Sequence, residues 1–84
     1  MYTLYILMGN INALQTNIML FMKEWAKEYD TPIPQREVIR VMGERGIKHF
    51  TTLWSLNSLI KKGFIRRGYS EKRNVTKYVM IINI

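Results

Sequence analysis

The sequence predicts an α+β domain in which three helices are followed by a two-stranded β-hairpin. Over residues 11–62, apolar side chains recur at three- and four-residue steps, which is the period of a helix with one buried face. Residues 64–82 are instead rich in aromatic and β-branched side chains around one short basic loop, as is typical of two strands and their turn. A chain of 84 residues suffices for one modest core, so we take 1–84 as a single domain.

The first helix is predicted over residues 11–29. Asn10 or Asn12 can cap its start, and the two prolines of the segment DTPIP bar its continuation and favour extended backbone. Its apolar stripe consists of Ile11, Leu14, Ile18, Phe21, Met22, Trp25 and Tyr29.

Two further helices are predicted on either side of a glycine-containing turn, GERGIK. The second helix covers residues 35–42, with Pro34 suited to its first turn and Gly43 at its end. The third covers residues 48–62 and stops at Gly63. The apolar stripe of the third helix consists of Leu53, Leu56, Leu59 and Ile60.

Two strands are predicted over residues 64–69 and 75–82, joined by a polar, basic loop at 70–74. Because an isolated two-stranded hairpin is marginal in water, this one must pack on the helices. Phe64 and Ile65 are the residues that we expect to anchor it.

Residues 1–8 contain the apolar run YTLYILM, which has three open interpretations. It can form an extra strand, extend the first helix, or serve as an apolar arm that pairs with another subunit. A monomer would have difficulty covering all these side chains, and large exposed apolar patches usually mark interfaces.

The net charge of +7 is concentrated near the C-terminus. Residues 61–84 carry seven basic side chains against the single acid Glu71, whereas residues 1–30 have a net charge of −1. Solubility alone does not require one sign of charge in one segment. The asymmetry therefore favours a polyanionic partner.

Catalytic and metal-binding residues are scarce. The chain has no cysteine, a single histidine and no glycine-rich phosphate loop, so we predict no enzyme, no metal site and no cofactor. We expect His49 to be a polar surface residue or a phosphate contact. Without a signal peptide, a cysteine or an apolar run approaching the ~18 residues of a membrane span, the sequence predicts a cytoplasmic protein that does not associate with membranes.

The second and third helices with their short turn have the helix-turn-helix arrangement. When the apolar stripe of the third helix is directed inward, its outward face holds Thr51, Trp54, Ser55, Ser58 and Lys62, with Lys48 at one side. Hydroxyl groups can contact base edges and phosphates, and a lysine can reach a phosphate. Trp54 can pack on a neighbouring strand, stack on sugar or bases, or belong to a dimer contact.

Two stretches of the chain resemble known regulators. The segment IPQREVIRVMG, followed by a turn, a helix and LNSLIKKGFIRRGYSEKRNVTKYVMI, resembles the winged helix-turn-helix regulators of the MarR type. The matching features are a Leu, a basic pair and Gly, an apolar pair, and an acid-x-Arg element at the wing tip. PIPQREVIRVMG is also similar to the start of the LexA DNA-binding domain, although the serine or threonine cap before Gln35 is missing. The long flanking dimerisation helices of MarR proteins have no counterpart after Ile84.

The resemblance implies that the third helix enters the major groove and that a wing at 70–74 lies along the backbone or in the minor groove. Arg73 is then expected in the minor groove, and Lys72, Arg67 and Lys77 on phosphates. Since Arg66 and Arg67 alternate faces on a strand, at most one of them faces DNA. The expected DNA-binding residues are Lys48, His49, Thr51, Thr52, Trp54, Ser55, Ser58, Lys62, Arg67, Lys72, Arg73 and Lys77.

The leading hypothesis is a sequence-specific binder of double-stranded DNA, acting as a homodimeric transcriptional regulator. A replication or partition factor of a plasmid or phage is an alternative with the same fold. From a different class, the domain can be a protein-interaction module in which Trp54 and the outer face of the third helix dock on an acidic partner protein.

Overall fold

A computed structural model describes residues 11–29, 31–69 and 77–82. Helix α1 spans Ala13–Tyr29, strand β1 Ile33–Pro34, helix α2 Gln35–Glu44, helix α3 His49–Lys61, strand β2 Ile65–Tyr69 and strand β3 Lys77–Ile81. The α+β class and the three predicted helices are confirmed. Residues 1–8, for which three interpretations were open, and the loop at 70–74, for which a wing was predicted, lie outside the described residues.

Helix α1 begins at a reciprocal cap. The backbone N–H of Gln15 donates to Oδ1 of Asn12 at 2.8 Å, and the backbone N–H of Asn12 donates to Oε1 of Gln15 at 3.1 Å. Each side chain thus satisfies a backbone donor that the first turn leaves unpaired. Of the two asparagines predicted as caps, Asn12 has this role. The buried face of the helix consists of Gln15, Ile18, Met19 and Met22.

The sheet has three antiparallel strands in the order β1-β3-β2, so the prediction of a two-stranded hairpin was incomplete. The extended segment predicted around the prolines pairs with β3, with Ile33 opposite Val79 and Pro34 opposite Tyr78. Proline is tolerated there because β1 is an edge strand. A strand of two residues has no period that a sequence pattern can reveal, and its partner lies far along the chain.

Helix α2 runs two residues further than predicted, and Gly46 rather than Gly43 ends it. Gly46 has a φ of +88°, its N–H donates to the carbonyl of Gly43, and the N–H of Ile47 donates to the carbonyl of Met42. These are the two bonds of a Schellman motif, whose left-handed residue is usually glycine. Gly43 lies within the last turn. At the other end, Pro34 is the N-cap and makes no side-chain capping bond.

Helix α3 ends in a second Schellman motif, as Gly63 predicted. Gly63 has a φ of +85° and donates to the carbonyl of Ile60, and the N–H of Phe64 donates to the carbonyl of Leu59. Phe64 and Leu59 both belong to the core, which supplies the apolar contact that accompanies this motif. The chain therefore leaves α3 in a fixed direction and enters β2.

The predicted hairpin pairing is confirmed, with Ile65 opposite Ile81 and Tyr69 opposite Lys77. Phe64 and Ile65 are buried, as expected of the residues that anchor β2 to the helices. One core joins all three helices and the inner face of the sheet. Its members are Ile18, Met19, Met22, Ile33, Val38, Met42, Leu56, Leu59, Phe64, Ile65 and Val79.

Among the helices of residues 11–29 and 31–69, none is both long enough and apolar enough to cross a lipid bilayer.

Candidate nucleic-acid interface

The outer face of α3 is a continuous exposed stripe formed by Phe50, Trp54, Asn57 and Lys61. The four residues follow one another at steps of three or four, so their side chains project from the same side of the helix. Phe50 is 77% exposed and Trp54 79% exposed, the highest values among the large apolar residues that the structure describes. We call these four residues the α3 stripe.

Thr52 and Ser55 were predicted to contact DNA, and this prediction is wrong. Thr52 is fully buried and Ser55 is 7% exposed. Helix α3 packs against both α1 and α2, and the small hydroxyl side chains allow this close approach. The Oγ1 atom of Thr52 is buried and has no hydrogen-bond partner among the described residues.

The error came from the inward direction chosen for α3. Leu53 and Ile60, which the sequence placed on the inner stripe, are half-buried, whereas Leu56 and Leu59 are fully buried. When the inward direction is averaged over all four apolar residues at about 100° per residue, the predicted outward face is rotated by roughly 60° from the face that the structure exposes. That rotation brought Ser55 to the outside and left Phe50, Asn57 and Lys61 out of the predicted site. If small polar residues such as Ser55 had been treated as candidates for the buried face, the predicted outward face would have included Phe50, Asn57 and Lys61.

The N-terminal end of α3 is exposed and positively charged. Lys48 is the N-cap in an extended conformation, it makes no side-chain capping bond, and the first turn contains no acidic residue. His49 is exposed, and its ring centroid lies 5.8 Å from that of Phe50. Unpaired N–H groups and the helix dipole favour an anion at such an end. Thr51 is exposed beside the α3 stripe and Ser58 is half-buried, as outward or flanking positions require.

Lys62 was predicted on the outward face of α3, but its side chain extends toward α1. Its Nζ lies 3.4 Å from Oε1 of Gln15, the oxygen that also accepts the N-cap bond of Asn12. Lys62 therefore lies to one side of the α3 stripe.

Arg67 links β2 to both α2 and α3. Its Nε donates to Oε1 of Gln35 at 2.7 Å, at the start of α2. One of its terminal nitrogens donates to Oδ1 of Asn57 at 2.6 Å, on the α3 stripe. Gln35 is buried and Arg67 is half-buried. These bonds engage the guanidinium within the protein, where the sequence had predicted a phosphate contact.

The described residues of α3, β2 and β3 carry an excess of positive charge. From Arg45 to Tyr69 and from Lys77 to Ile82, the described residues include no acidic side chain. Lys77 is exposed at the start of β3, and Arg66 is exposed on the sheet face opposite Arg67. Lys72 and Arg73, predicted at the wing, lie outside the described residues.

Helix α2 differs, because its acids engage Arg40, one of its two arginines. Arg40 donates hydrogen bonds to the carboxylates of Glu37 and Glu44. The hydrogen bond from Arg40 lowers the pKa of the Glu37 carboxyl, and the same bond raises the pKa of Arg40. Arg40 thus adds little free positive charge to the surface of α2.

In residues 11–29, 31–69 and 77–82, no group of three histidine or acidic side chains is placed to hold a metal ion. The sequence matches no protein-family model, and neither a curated protein nor a solved structure matches it. The geometry of the described residues therefore carries the functional argument by itself.

Proposed function

We propose that this chain is a sequence-specific double-stranded DNA-binding protein of the winged helix-turn-helix class, with α3 as the recognition helix. The observation that carries the proposal is the α3 stripe, which is exposed on a helix flanked by basic residues. The order of three helices and three strands is compatible with that class.

The dimensions of α3 suit the major groove. Its 13 residues give a length of about 20 Å at 1.5 Å per residue, and the groove of B-DNA is about 12 Å wide. Lys48 at one end of the helix and Lys61 near the other are placed to contact phosphates on the two sides of the groove. Helix α3 contains no carboxylate. A carboxylate there would repel the negatively charged DNA backbone.

The exposed aromatic residues have a use in a groove. Apolar side chains contact the thymine methyl group, which is the feature that distinguishes thymine on the major-groove edge. Phe50 and Trp54 lie one helical turn apart and can contact successive base pairs. This arrangement favours sites that contain thymine at the base pairs that these two residues contact.

The loop at 70–74 and the apolar residues 1–8 extend the proposal beyond the described residues. Lys72 and Arg73 would contact the DNA backbone or the minor groove, and Arg73→Ala is expected to weaken binding without changing the thermal midpoint. A homodimer would bind two half-sites, which raises the affinity and specificity of a small module. Either transcriptional regulation or plasmid or phage replication and partition would use such a protein.

A salt-dependent titration tests the proposal. A labelled mixed-sequence duplex is titrated with the protein at several salt concentrations. We expect the logarithm of the affinity to fall linearly with the logarithm of the salt concentration, with a slope of about −0.9 per phosphate contacted. No binding at low salt would reject the proposal.

A protein-interaction module is the second candidate, and the exposed pair Phe50 and Trp54 favours it. Exposed aromatic residues are enriched at the centres of protein interfaces, where they contribute most of the binding energy. The surrounding lysines would select an acidic partner. Duplex binding that fails while Trp54 remains exposed would favour this candidate over DNA binding.

A further inference from the structure

The hydrogen bond between Arg67 and Asn57 fixes which way the Asn57 carboxamide points. An arginine guanidinium has N–H donors and no acceptor, so the atom of Asn57 that faces it must be the carbonyl oxygen. The amide nitrogen of Asn57 is then turned away from Arg67. Asn57 is exposed, so this nitrogen presents two N–H donors at the surface of the α3 stripe.

Arg67 is itself held in place by a second bond. Its Nε donates to the buried Gln35, so the guanidinium plane is fixed from the side of α2. A planar group bound at two positions loses the freedom to rotate away from Asn57. Together, α2, β2 and α3 determine the orientation of one amide on the proposed recognition surface.

We infer that Asn57 is a specificity-determining residue that donates to a base edge, and that Arg67 is the positioning residue that makes it a donor. This inference rests on the proposed DNA-binding function. In the major groove, guanine, adenine and thymine each offer an acceptor, whereas cytosine offers the N4 amino donor. A fixed N–H donor therefore rejects cytosine at the base position that Asn57 faces.

Selection of binding sites from a randomised duplex pool tests the role of Asn57. The wild type is expected to yield sites in which cytosine is depleted on the contacted strand at one position. Asn57→Asp keeps an oxygen toward Arg67 but replaces the outward donor by an acceptor. The variant is expected to prefer cytosine at that same position, with a change in the relative affinities of roughly tenfold or more.

Asn17→Asp is the matched control, because it makes the same change at an exposed position of α1. It is expected to select the wild-type site. If Asn57→Asp also selects the wild-type site, the inference is overturned while the proposed function stands. If the wild type binds no duplex, both fall together.

Arg67→Met distinguishes positioning from a direct phosphate contact. Without Arg67, the Asn57 amide can rotate and present either its oxygen or its nitrogen, so the preference at that one position is expected to weaken by about tenfold with an unchanged salt slope. A phosphate contact would instead lower the affinity for all sequences and reduce the salt slope by about one. A general loss of affinity with a reduced salt slope would therefore overturn the positioning role assigned to Arg67. Circular dichroism checks that the Arg67→Met variant is folded. Should it not fold, Asn57→Asp still decides the inference.

Discussion

Trp25 on α1 and Trp54 on α3 are the two tryptophans of the chain, and their surroundings differ. Trp25 is half-buried, and its ring centroid lies 4.5 Å from that of Tyr29 and 6.3 Å from that of Phe21. Trp54 is 79% exposed on the outer face of its helix. The first indole has aromatic neighbours within its own helix, whereas the second is presented to solvent.

Charged residues show the same contrast. On α2, Arg40 forms ion pairs with Glu37 and Glu44. On α1, Nζ of Lys27 lies 3.9 Å from Oε1 of Glu24. The described residues after Glu44 include basic side chains and no acid. The described residues of α1 and α2 thus include opposite charges that pair with one another, whereas the charged side chains described in α3, β2 and β3 are all basic. Such an excess of one sign is consistent with the polyanionic partner that we propose.

The largest expected effect separates the two faces of α3. Leu56→Ala removes a fully buried side chain and is expected to lower the free energy of unfolding by about 2–5 kcal/mol. Trp54→Ser, on the exposed face, is expected to change it by no more than about 0.5 kcal/mol while weakening duplex binding. Thermal unfolding and duplex titration measure both quantities. A large loss of stability in Trp54→Ser would mean that the indole packs in the protein.

Reversal of single charges compares the two regions directly. Lys61→Glu is expected to weaken duplex binding by about tenfold or more, because a charge-assisted contact contributes about 1.5–3 kcal/mol. Lys23→Glu makes the same change at an exposed position of α1 and is expected to have a much smaller effect. Equal losses in the two variants would indicate a response to net charge alone, without a located interface.

Removal of Arg67 tests whether β2 is tied to the helices by side-chain bonds. In Arg67→Ala, the side-chain oxygen of the buried Gln35 loses its hydrogen-bond donor. We expect this loss to lower the free energy of unfolding by about 1–3 kcal/mol. Arg66→Ala is the control, since Arg66 is exposed on the opposite face and its guanidinium lies 3.4 Å from the Met80 sulfur. Chemical denaturation compares the variants. Similar stabilities would show that the two bonds to Arg67 contribute nothing measurable.

Thr52 gives a smaller effect of opposite sign. Replacing it with valine removes a buried hydroxyl that has no hydrogen-bond partner among the described residues and keeps the shape of the side chain. We expect Thr52→Val to stabilise the fold by about 1 kcal/mol and to leave duplex affinity unchanged. A loss of affinity in a folded Thr52→Val variant would return this residue to the DNA-binding set.

The smallest effect concerns the acid region of the pH scale. Since the pKa of Glu37 is lower in the folded protein, its pairing with Arg40 stabilises the fold above the pKa of the unfolded state. This stabilisation is lost as the pH falls through the folded pKa. Glu37→Gln is therefore expected to flatten the pH dependence of the thermal midpoint slightly in this range. A midpoint that falls as steeply in Glu37→Gln as in the wild type would assign the effect to other carboxylates.

Much of the fold was predictable because its local signals are strong. Gly63 predicted the end of α3, the prolines of DTPIP predicted the end of α1, and Phe64 and Ile65 predicted the start of β2. Strand β1 was not predictable as a strand, because its two residues acquire their pairing from β3, far away in the sequence. The end of α2 was misplaced because either Gly43 or Gly46 can adopt the required φ, and the sequence does not distinguish them.

The candidate site was less predictable than the fold. Its expected location on the third helix followed from the helix-turn-helix pattern of the sequence. Which side chains of α3 are exposed depends on how the helix is rotated against α1 and α2. Small residues such as Ser55 can face either way, and only the packing decides. The role of Asn57 depends on Arg67, which lies ten residues away on a different element, so no local pattern indicates it.

The two indole N–H signals of Trp25 and Trp54 test whether α3 and its surroundings form the DNA-binding face that we propose. A duplex is titrated into isotope-labelled protein, and the indole N–H resonances are followed by NMR, with Trp54→Phe used for assignment. We predict that the Trp54 signal shifts progressively while the Trp25 signal remains nearly unchanged. A shift of Trp25 with Trp54 unaffected would place the interface on α1 and contradict the account, and no shift of either would contradict DNA binding through α3.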